Sequence, residues 1–311
     1  GLRIGRLFRD DLGPAEVAAR HRAWGLRVAA GGTPRTTHAN PPEPERRLRV
    51  GYLSIGFCDH SVAHFIGPVM AAHDPAAVET FVYADVERPD AVTARLQGLA
   101  RHWRDVRGLD DDALAARIAA DGIDLLVDLM GLTARTFLGV LARKPAPVQV
   151  SWITYPATTG LPTVDWRLAD RVADPPGTDD RYSERPWRLP GCFLCYGPMS
   201  ETPEVAPPPA LRNGFVTFGS FNFSAKLGPR TVELWAQVLL AVPESRLLLK
   251  ALGLRDPETV DALRARFAAQ GVAPERIGAL PYAPTPFAHL AGYGEVDVAL
   301  DPTPYNGTTT T

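Results

Sequence analysis

Short apolar runs alternate with helix-like stretches in two separate parts of this chain. In the first part, the runs are rich in β-branched and aromatic residues and occur in RRLRVGYLSI, TFVYA, IDLLVDL and PVQVSWITY. Helix-like stretches such as AVTARLQGLARHW and DDDALAARIAADG lie between them. The alternation stops after Leu189-Pro190 and resumes with FVTFGSF, SRLLLKA, RIGALPY and EVDVAL, the last of which is typical of a buried strand. Such alternation predicts doubly wound parallel sheets. The sequence therefore predicts two α/β domains in tandem, the second with four strands.

Two stretches rich in proline, glycine and polar residues separate these regions. GGTPRTTHANPPEPER follows a segment with a helical pattern, and SETPEVAPPPALRNG lies between the two α/β regions. Such composition is typical of linkers. The sequence therefore divides into a helical region (1–30), a linker (31–47), a first α/β domain (48–198), a second linker (199–213) and a second α/β domain (214–311). Because residue 1 is not Met and the second sheet is partial, we expect a piece of a longer protein.

Composition and charge bear on the possible partners. Hydrophobic residues make up 45% and charged residues 22% of the chain, and the formal net charge is −2. These values are ordinary for a soluble globular protein and favour neither nucleic acid nor a membrane surface as a partner. No apolar run is long enough to span a membrane. We therefore expect no nucleic-acid partner and no membrane association.

The chain has three cysteines, Cys58, Cys192 and Cys195. An odd number argues against a disulfide framework. Cys192 and Cys195 have redox-motif spacing, but the surrounding sequence LPGCFLCYGP does not predict a helix that begins at the first cysteine. We expect ordinary buried thiols in a reducing, cytoplasmic compartment.

Polar residues cluster directly after the predicted strands. The clusters are GFCDHSVAH, MGLTAR, PATTG, NFSAK, PYAPT and DPTPYNGTTTT. In open parallel sheets, ligands bind at the carboxyl ends of the strands. Two such edges that face each other would enclose a cleft, and we expect the functional site there.

Two of the clusters suggest a phosphate site in the second domain. In NGTTTT, a glycine permits close approach of the backbone, and hydroxyl and N–H groups are good donors to phosphate oxygens. The same segment is equally compatible with a polar turn that caps a helix. Lys226, in SFNFSAKLGP, precedes a predicted helix and could pair with a phosphate, although most lysines in such loops are merely solvated.

The first domain offers His60 and His64 in GFCDHSVAHF. A histidine at a strand end can act as a general base or as a hydrogen-bond partner of the substrate. The spacing resembles a metal-binding pair, but the glutamate of an HExxH motif is missing, and we expect His64 to have a structural role facing the core. The chain lacks the GxGxxG, GxxxxGK[ST] and GxSxG motifs of dehydrogenases, P-loop ATPases and α/β-hydrolases. Transfer from a nucleotide sugar remains as the natural candidate.

Long motifs in this chain resemble the catalytic region of the O-GlcNAc transferase and SPINDLY family. They are LRVGYLSIGFCDHSVAHF, KPAPVQVSWITYPATTGLPTVDWRLADRVADPP, RLPGCFLCYGP, NGFVTFGSFNFSAK and PYNGTTTT, and the resemblance runs from about residue 20 to the last residue. HRAWG is similar to the end of the TPR-like helical-repeat array that precedes catalysis in this family. The resemblance implies an α/β protein of GT-B fold with two Rossmann-like domains. It also implies an inverting transfer, without metal or cofactor, from a nucleotide sugar to Ser or Thr hydroxyls of proteins.

The same resemblance implies roles for individual residues. His60 matches the family histidine that faces the sugar and the acceptor, and His102, in ARHW, matches another histidine of the cleft. Lys226 matches the lysine that contacts the diphosphate of the donor, where it would stabilise the charge that develops on the leaving group. The positions that match donor-binding residues are Lys226, Ala283, His289, Thr308, Thr309 and Thr310.

The chain departs from O-GlcNAc transferases at positions near these residues. It has Thr308 where they carry a histidine and Ala225 where they carry a tyrosine, and in both respects it is similar to plant SPINDLY, whose donor is GDP-fucose. We therefore expect GDP-fucose or UDP-GlcNAc as the donor, and these departures favour GDP-fucose. Two alternatives remain open, namely a catalytically inert protein-binding or scaffold fragment and a nucleotide-binding module without transfer.

Overall fold

The computed structural model describes residues 7, 9, 11–43, 45–133, 135–198 and 201–310. Thr311, the last threonine of the predicted phosphate loop, and the first six residues of the predicted helical region lie outside the described residues. The chain divides into two compact units, one built mainly on Gly13–Met199 and the other mainly on Ser200–Thr311.

In the first unit, seven strands of the described chain form one sheet in which every pairing is parallel. The order across the sheet is β3-β2-β1-β4-β5-β6-β7. The strands are β1 (Leu48–Ser54), β2 (Val78–Ala84), β3 (His102–Asp105), β4 (Leu125–Asp128), β5 (Val148–Ser151), β6 (Trp166–Asp170) and β7 (Arg185–Leu189). The helices are α1 (Pro14–Ala29), α2 (Ala63–Ala72), α3 (Ala91–Leu99), α4 (Asp111–Ala120) and α5 (Leu138–Ala142).

Local sequence explains where several of these elements begin. Asp90 and Asp110 are the N-caps of α3 and α4, and each side chain accepts a hydrogen bond from a backbone N–H in the first turn, which satisfies a donor that has no partner within the helix. The central strands β1 and β2 bury five consecutive residues each, as expected for a parallel sheet covered on both faces.

Three features of the first unit differ from the sequence prediction. The stretch AVTARLQGLARHW is not one helix, because α3 ends at Leu99 and β3 begins at His102. Strands β6 and β7 were not predicted. Their apolar pattern is interrupted by buried polar groups such as Arg167, whose Nε donates to Asp174 Oδ2 at 2.9 Å, and by a proline in β7, which is the edge strand of the sheet.

Helix α1 packs within the first unit. The Nε2 atom of His21 lies 2.6 Å from the hydroxyl of Tyr155. A Cβ on Gly25 would lie 2.1 Å from the carbonyl oxygen of Gly160, so the helix backbone contacts the turn after β5 directly and only glycine fits there. That α1 is the last helix of a repeat array stays a prediction. No helix or strand occurs in the described part of the first predicted linker, residues 31–47.

The second unit has a smaller parallel sheet, of four strands within the described residues, in the order β10-β9-β8-β11. The strands are β8 (Thr217–Ser220), β9 (Arg246–Leu249), β10 (Ile277–Ala279) and β11 (Val298–Ala299). The helices are α6 (Ala210–Asn213), α7 (Pro229–Ala241), α8 (Pro257–Ala268) and α9 (Pro286–Ala291). The core between sheet and helices contains Trp235, Leu239, Leu247, Phe267 and Ile277.

The stretch EVDVAL does not form the buried strand that its apolar residues predict. Only Val298 and Ala299 pair with β8, at the edge of the sheet, and Val298 is 45% exposed. An edge strand is paired on one side only, and among the described residues no other strand of this sheet lies beyond β11. The apolar composition of EVDVAL was therefore a poor guide to its burial.

Candidate functional site

The carboxyl ends of β8 and β11 bring two loops of the second unit together. Because β11 pairs with β8 in parallel, the segments that follow Ser220 and Ala299 leave the same edge of the sheet. The first segment contains Asn222 and a 3-10 turn that ends at Lys226, and the second is the predicted phosphate loop. A hydrogen bond of 2.7 Å from Lys226 Nζ to the carbonyl oxygen of Asn306 joins the two segments.

Lys226 is a half-buried cation with a defined orientation. Its Nζ also donates to Asn222 Oδ1 at 3.2 Å and lies 4.4 Å from the centroid of the Tyr305 ring. Burial lowers the pKa of Lys226 below its ordinary value, and the negative charge of Asp301 acts in the opposite direction. An anion beside a partly desolvated ammonium interacts with it more strongly than with a fully hydrated one. The position suits a phosphate group.

Two polar residues of this site, Asn222 and Asp301, were not identified from the sequence. Asp301 Oδ1 accepts hydrogen bonds from the backbone N–H of Gly307 at 2.7 Å and from Asn222 Nδ2 at 3.2 Å. Both residues follow strands, in SFNFSAK and DPTPYNG, so their position at the carboxyl edge was a signal that could have identified them. Together they connect the Lys226 loop to the threonine loop.

The described threonines of NGTTTT lie in a bend and turn rather than at the start of a helix. Thr308 and Thr309 are exposed, and Thr310 is half-buried. Thr310 Oγ1 donates to Asn222 Oδ1 at 3.1 Å. Thr310 and Lys226 therefore donate hydrogen bonds to the same amide oxygen, that of Asn222. Thr308 and Thr309, which precede Thr310, are exposed to solvent.

His289, the predicted base-stacking residue, lies in an aromatic cluster at the same edge of the sheet. Its ring centroid is 5.7 Å from that of Phe221 and 6.0 Å from that of Tyr293. Burial, and to a smaller extent the charge of Lys250, lowers the pKa of His289. Ala283 is half-buried in the segment that joins β10 to α9, ahead of His289. A neutral imidazole among aromatic rings is suited to contact with a flat heterocycle.

His60 lies in the loop that follows β1 of the first unit, and the main chain holds its ring. Nδ1 accepts a hydrogen bond of 3.2 Å from the backbone N–H of Val62. The neighbouring residue Asp59 donates its backbone N–H to Asp90 Oδ2 at 2.7 Å. A Cβ on Gly56 would lie 2.7 Å from His60 Nδ1, so only glycine at position 56 permits this ring position.

The protonation state of His60 follows from these contacts. Burial lowers the pKa of His60 below its ordinary value, Asp59 opposes this effect and His64 adds to it. The imidazole is therefore neutral at neutral pH. Because Nδ1 accepts the Val62 N–H, the single ring proton lies on Nε2. In this state Nε2 is a hydrogen-bond donor and has no lone pair with which to act as a base.

The structure places His102, the second histidine predicted for the site, at the start of β3 rather than in a loop that follows a strand, and its role in the site stays a prediction. It is the first residue of β3, and its Nε2 lies 2.7 Å from Glu79 Oε1. Its ring stacks on Phe81 with 4.2 Å between centroids. His60 follows the carboxyl end of β1, whereas His102 occupies the amino end of β3. The helix predicted over ARHW was wrong, because β3 begins at His102.

The other polar clusters of the first unit form hydrogen bonds within the protein. Asp128, at the end of β4, is fully buried and accepts the backbone N–H groups of Met130 and Gly131. Burial raises its pKa to about 6. The two threonines of PATTG are buried and donate to the buried carboxylate of Glu184. These hydrogen bonds therefore stabilise the loops of the first unit.

The remaining predictions for single residues had different outcomes. His64 is half-buried and stacks on Tyr196 with 5.8 Å between ring centroids, in keeping with a structural role. Cys192 and Cys195 are exposed, so the prediction of buried thiols was wrong for both. They lie in the irregular segment after β7, and the apolar residues between them did not predict its exposure.

The described residues contain neither a metal-binding cluster nor a membrane-spanning helix. Across the described ranges, no group of three or more His, Cys, Asp or Glu side chains is arranged to hold a metal ion. Among the helices of the described chain, none is both long enough and apolar enough to cross a membrane.

Two units with parallel sheets and polar loops at the carboxyl ends of their strands agree with the GT-B fold of glycosyltransferases. A family model described as glycosyl transferase family 41 matches residues 14–197. This chain belongs to that family, and the family and fold expected from the sequence are confirmed.

Similar proteins agree with this assignment. The Arabidopsis thaliana protein named probable UDP-N-acetylglucosamine–peptide N-acetylglucosaminyltransferase SPINDLY is 44% identical over 299 residues, which are 94% of this chain and 32% of that protein. The Arabidopsis thaliana protein with the same enzyme name and the designation SEC is 33% identical over 85% of this chain and 28% of its own length. A solved variant of the O-GlcNAc transferase of Thermobaculum terrenum has a TM-score of 0.91 and 40% identity, over 98% of this chain and 57% of its own. The chain spans about a third of the curated relatives' length.

Proposed function

We propose that this chain carries the catalytic region of a protein O-glycosyltransferase, which transfers a sugar from a nucleotide sugar to Ser or Thr hydroxyls with inversion and without a metal ion. The observation that carries the proposal is Lys226, a half-buried cation that Asn222 and Asn306 hold in the loops where the threonines lie. Membership of glycosyl transferase family 41 and the names of the relatives support it.

In the proposed reaction, the acceptor hydroxyl oxygen attacks the anomeric carbon of the sugar while the bond to the diphosphate breaks, and the hydroxyl proton passes to the leaving diphosphate or to solvent. Negative charge then develops on the leaving diphosphate. The ammonium of Lys226, the hydroxyls of Thr308 and Thr309 and the N–H groups of residues 308–310 stabilise that charge, so binding is stronger in the transition state than in the ground state. His289 and Ala283 contact the base of the nucleotide.

His60 takes part as a hydrogen-bond donor. Its Nε2–H, fixed by the bond between Nδ1 and the Val62 N–H, donates to an oxygen of the bound reactants. A donor of this kind orients its partner and stabilises negative charge on it without a change in its own protonation state.

The donor is UDP-GlcNAc or GDP-fucose. The names of the Arabidopsis relatives contain UDP-N-acetylglucosamine. The higher identity to SPINDLY, 44% against 33% for SEC, supports the SPINDLY branch, and GDP-fucose is the donor that resemblance to this branch implies. Both donors present a diphosphate to Lys226, so the phosphate site itself does not discriminate between them.

Calorimetric titration of the intact protein with UDP, GDP, UDP-GlcNAc and GDP-fucose tests the proposal. We expect either UDP and UDP-GlcNAc or GDP and GDP-fucose to bind, and we expect Lys226→Met to weaken that binding about 10- to 100-fold. The protein and the nucleotide sugar that it binds are then incubated with a Ser/Thr-containing peptide library in the presence of EDTA. Mass spectrometry detects the added sugar. Binding of none of the four ligands would contradict the proposal and favour a scaffold role. Binding without transfer to any peptide would favour a nucleotide-binding module.

A further inference from the structure

The side chain of Asn222 occupies the centre of the candidate phosphate site. It lies between β8 and the 3-10 turn that ends at Lys226, and it is only 5% exposed. Its Oδ1 accepts hydrogen bonds from Lys226 Nζ at 3.2 Å and from Thr310 Oγ1 at 3.1 Å. Its Nδ2 donates to Asp301 Oδ1 at 3.2 Å and to Ser220 Oγ at 3.4 Å. One buried amide therefore contacts the cation, the threonine loop and the end of β8 at once.

We propose that Asn222 is a positioning residue for donor binding, which orients the Lys226 ammonium toward the diphosphate of the nucleotide sugar and holds the threonine loop beside it through the hydrogen bond from Thr310. This inference rests on the proposed function, and it assigns a role to a residue that does not itself have to contact the donor.

Asp301 fixes which way the amide of Asn222 points. A carboxylate only accepts hydrogen bonds, so the NH2 group of the amide faces Asp301 and the oxygen faces Lys226. The same Asp301 Oδ1 accepts the backbone N–H of Gly307. The loop that carries the threonines is thus connected to the side chain that holds the lysine. A shift of either loop changes the position of the other.

The neutral amide is suited to this task in a way that a carboxylate is not. A carboxylate at position 222 would form an ion pair with Lys226 and would cancel the charge that attracts phosphate. The amide oxygen orients the ammonium through a hydrogen bond and leaves its full positive charge available. Asp301, the carboxylate of this network, contacts the NH2 side of the amide.

Two replacements of Asn222 separate positioning from packing. Asn222→Asp has nearly the same shape but adds a charge, whereas Asn222→Ala removes all four hydrogen bonds and leaves a small cavity. A residue needed only for packing should tolerate Asp better than Ala. A residue that positions the lysine for an anion should tolerate Asp worse, because the added carboxylate neutralises Lys226 and repels the diphosphate.

The experiment measures the affinity of the intact protein and its variants for UDP and GDP by calorimetry. Ser245→Ala is the matched control: Ser245 is also fully buried in the second unit, its Oγ donates to Val242 O and accepts from Arg276, and it precedes β9 at the opposite edge of the sheet. Circular dichroism and thermal denaturation check that each variant folds. Asn222→Ser, which adds no charge, replaces the alanine variant if that protein does not fold.

We expect the affinity for the nucleoside diphosphate to fall about tenfold in Asn222→Ala and about a hundredfold in Asn222→Asp, with no change in Ser245→Ala. Lys226 and Asp301 are the charged groups that contact position 222. The ion pair with Lys226 keeps the new carboxyl ionised well above its ordinary pKa of about 3.9, so the loss in the aspartate variant, relative to the original protein, should be the same at about pH 8 and at about pH 5.5. Equal affinities, or a larger loss in the alanine variant, would overturn the positioning role and leave the proposed function intact. If the original protein binds neither diphosphate, the proposed function itself fails.

Discussion

The loops at the carboxyl edges of the two sheets are stabilised in different ways. In the first unit, the polar side chains near the strand ends have partners in the main chain or in neighbouring loops, as Asp128 has with two backbone N–H groups and the threonines of PATTG have with Glu184. In the second unit, the polar side chains converge on one another instead, around Asn222 and Lys226. The first arrangement fixes the main chain, and the second concentrates one positive charge among hydroxyl and amide groups.

Because of this difference, we expect substitutions in the first unit to lower stability and substitutions in the second unit to lower donor affinity and rate. A buried carboxylate that binds backbone N–H groups stabilises a loop, and its loss lowers the free energy of unfolding. A half-buried ammonium held by neutral partners contributes little to stability, because burial disfavours its charged form. Its partners make it available to an anion. Substitutions in the second unit should therefore alter affinity and rate more than stability.

The largest effect is expected for Lys226→Met, which tests this separation directly. Donor affinity should fall about 10- to 100-fold, because a hydrogen bond to a charged group contributes about 1.5–3 kcal/mol. The transfer rate should fall further, by roughly 10²–10³, because the charge on the leaving diphosphate grows in the transition state. Calorimetry gives the affinity, and mass spectrometry of a modified peptide gives the rate.

Lys144→Met serves as the control for this measurement. The Lys144 ammonium forms an ion pair with Asp165 and donates to Thr163 O at 3.0 Å in the first unit. Its loss should lower the unfolding temperature without a change in donor affinity. Normal donor affinity in Lys226→Met would refute the phosphate site and, with it, the difference between the two edges.

A smaller loss, of about 10² in rate, is expected for His60→Ala, with donor affinity nearly unchanged. His60→Gln distinguishes the two possible roles of the ring, because the glutamine amide can still donate a hydrogen bond near the position of Nε2 but cannot act as a base. We expect the glutamine variant to recover part of the lost rate. A glutamine variant as inactive as the alanine variant would indicate that His60 acts as a base.

The pH dependence of His60 has a defined sign. Burial lowers its pKa in the folded state, so the unfolded state binds the proton at higher pH. The contribution of the neutral ring to stability is present above the unfolded pKa of about 6.5 and is lost as the pH falls below it. Protonation also places a hydrogen on Nδ1, which then cannot accept the Val62 N–H. The rate should therefore decrease at acidic pH in the original protein, and this decrease should be smaller in His60→Gln.

Thr308→Ala should weaken donor binding about 2- to 10-fold, since one neutral hydrogen bond contributes roughly 0.5–1.5 kcal/mol. Thr308 is exposed, so stability should not change. Thr308→Ser, which keeps the hydroxyl, should bind the donor as the original protein does. If the alanine and serine variants have equal affinity, the hydroxyl of Thr308 does not contact the phosphates.

The sequence predicted the parallel strands best where their residues are buried on both faces. β1, β2 and β4 each contain a short run of mainly apolar residues that is buried, and their positions followed from that pattern. β6 and β7 could not be predicted in this way, because buried ion pairs such as Arg167–Asp174 replace apolar contacts. The exposure of Val298 depends on its place at the edge of the sheet, and no local pattern reports that place.

Individual site residues were predictable where chemistry and position coincide. Lys226 and the threonines carry hydrogen-bond donors and follow predicted strands. In the structure, Lys226 and Thr310 both donate to the amide oxygen of Asn222. Asn222 was missed because a neutral amide is not distinctive in sequence. Its role depends on two loops that are separated by about 80 residues along the chain and meet only because β8 pairs with β11.

The smallest effect on transfer rate is expected for His102→Ala. Its comparison with His60→Ala tests whether the residue at the start of β3 contributes to the site as the loop after β1 does. His102 is the first residue of β3, and its bond to Glu79 is the largest cause of the lowered pKa of that carboxyl. Removal of the ring should cost about 0.2–1 kcal/mol of stability near pH 7, in the range of a single partly exposed ion pair. The cost should disappear as the pH falls through the folded pKa of Glu79, because the carboxyl is then neutral. Urea denaturation at two pH values measures this, and the transfer rate should stay within about twofold of the original. A loss of rate comparable to that of His60→Ala would mean that the amino edge of the first sheet also contributes to the site.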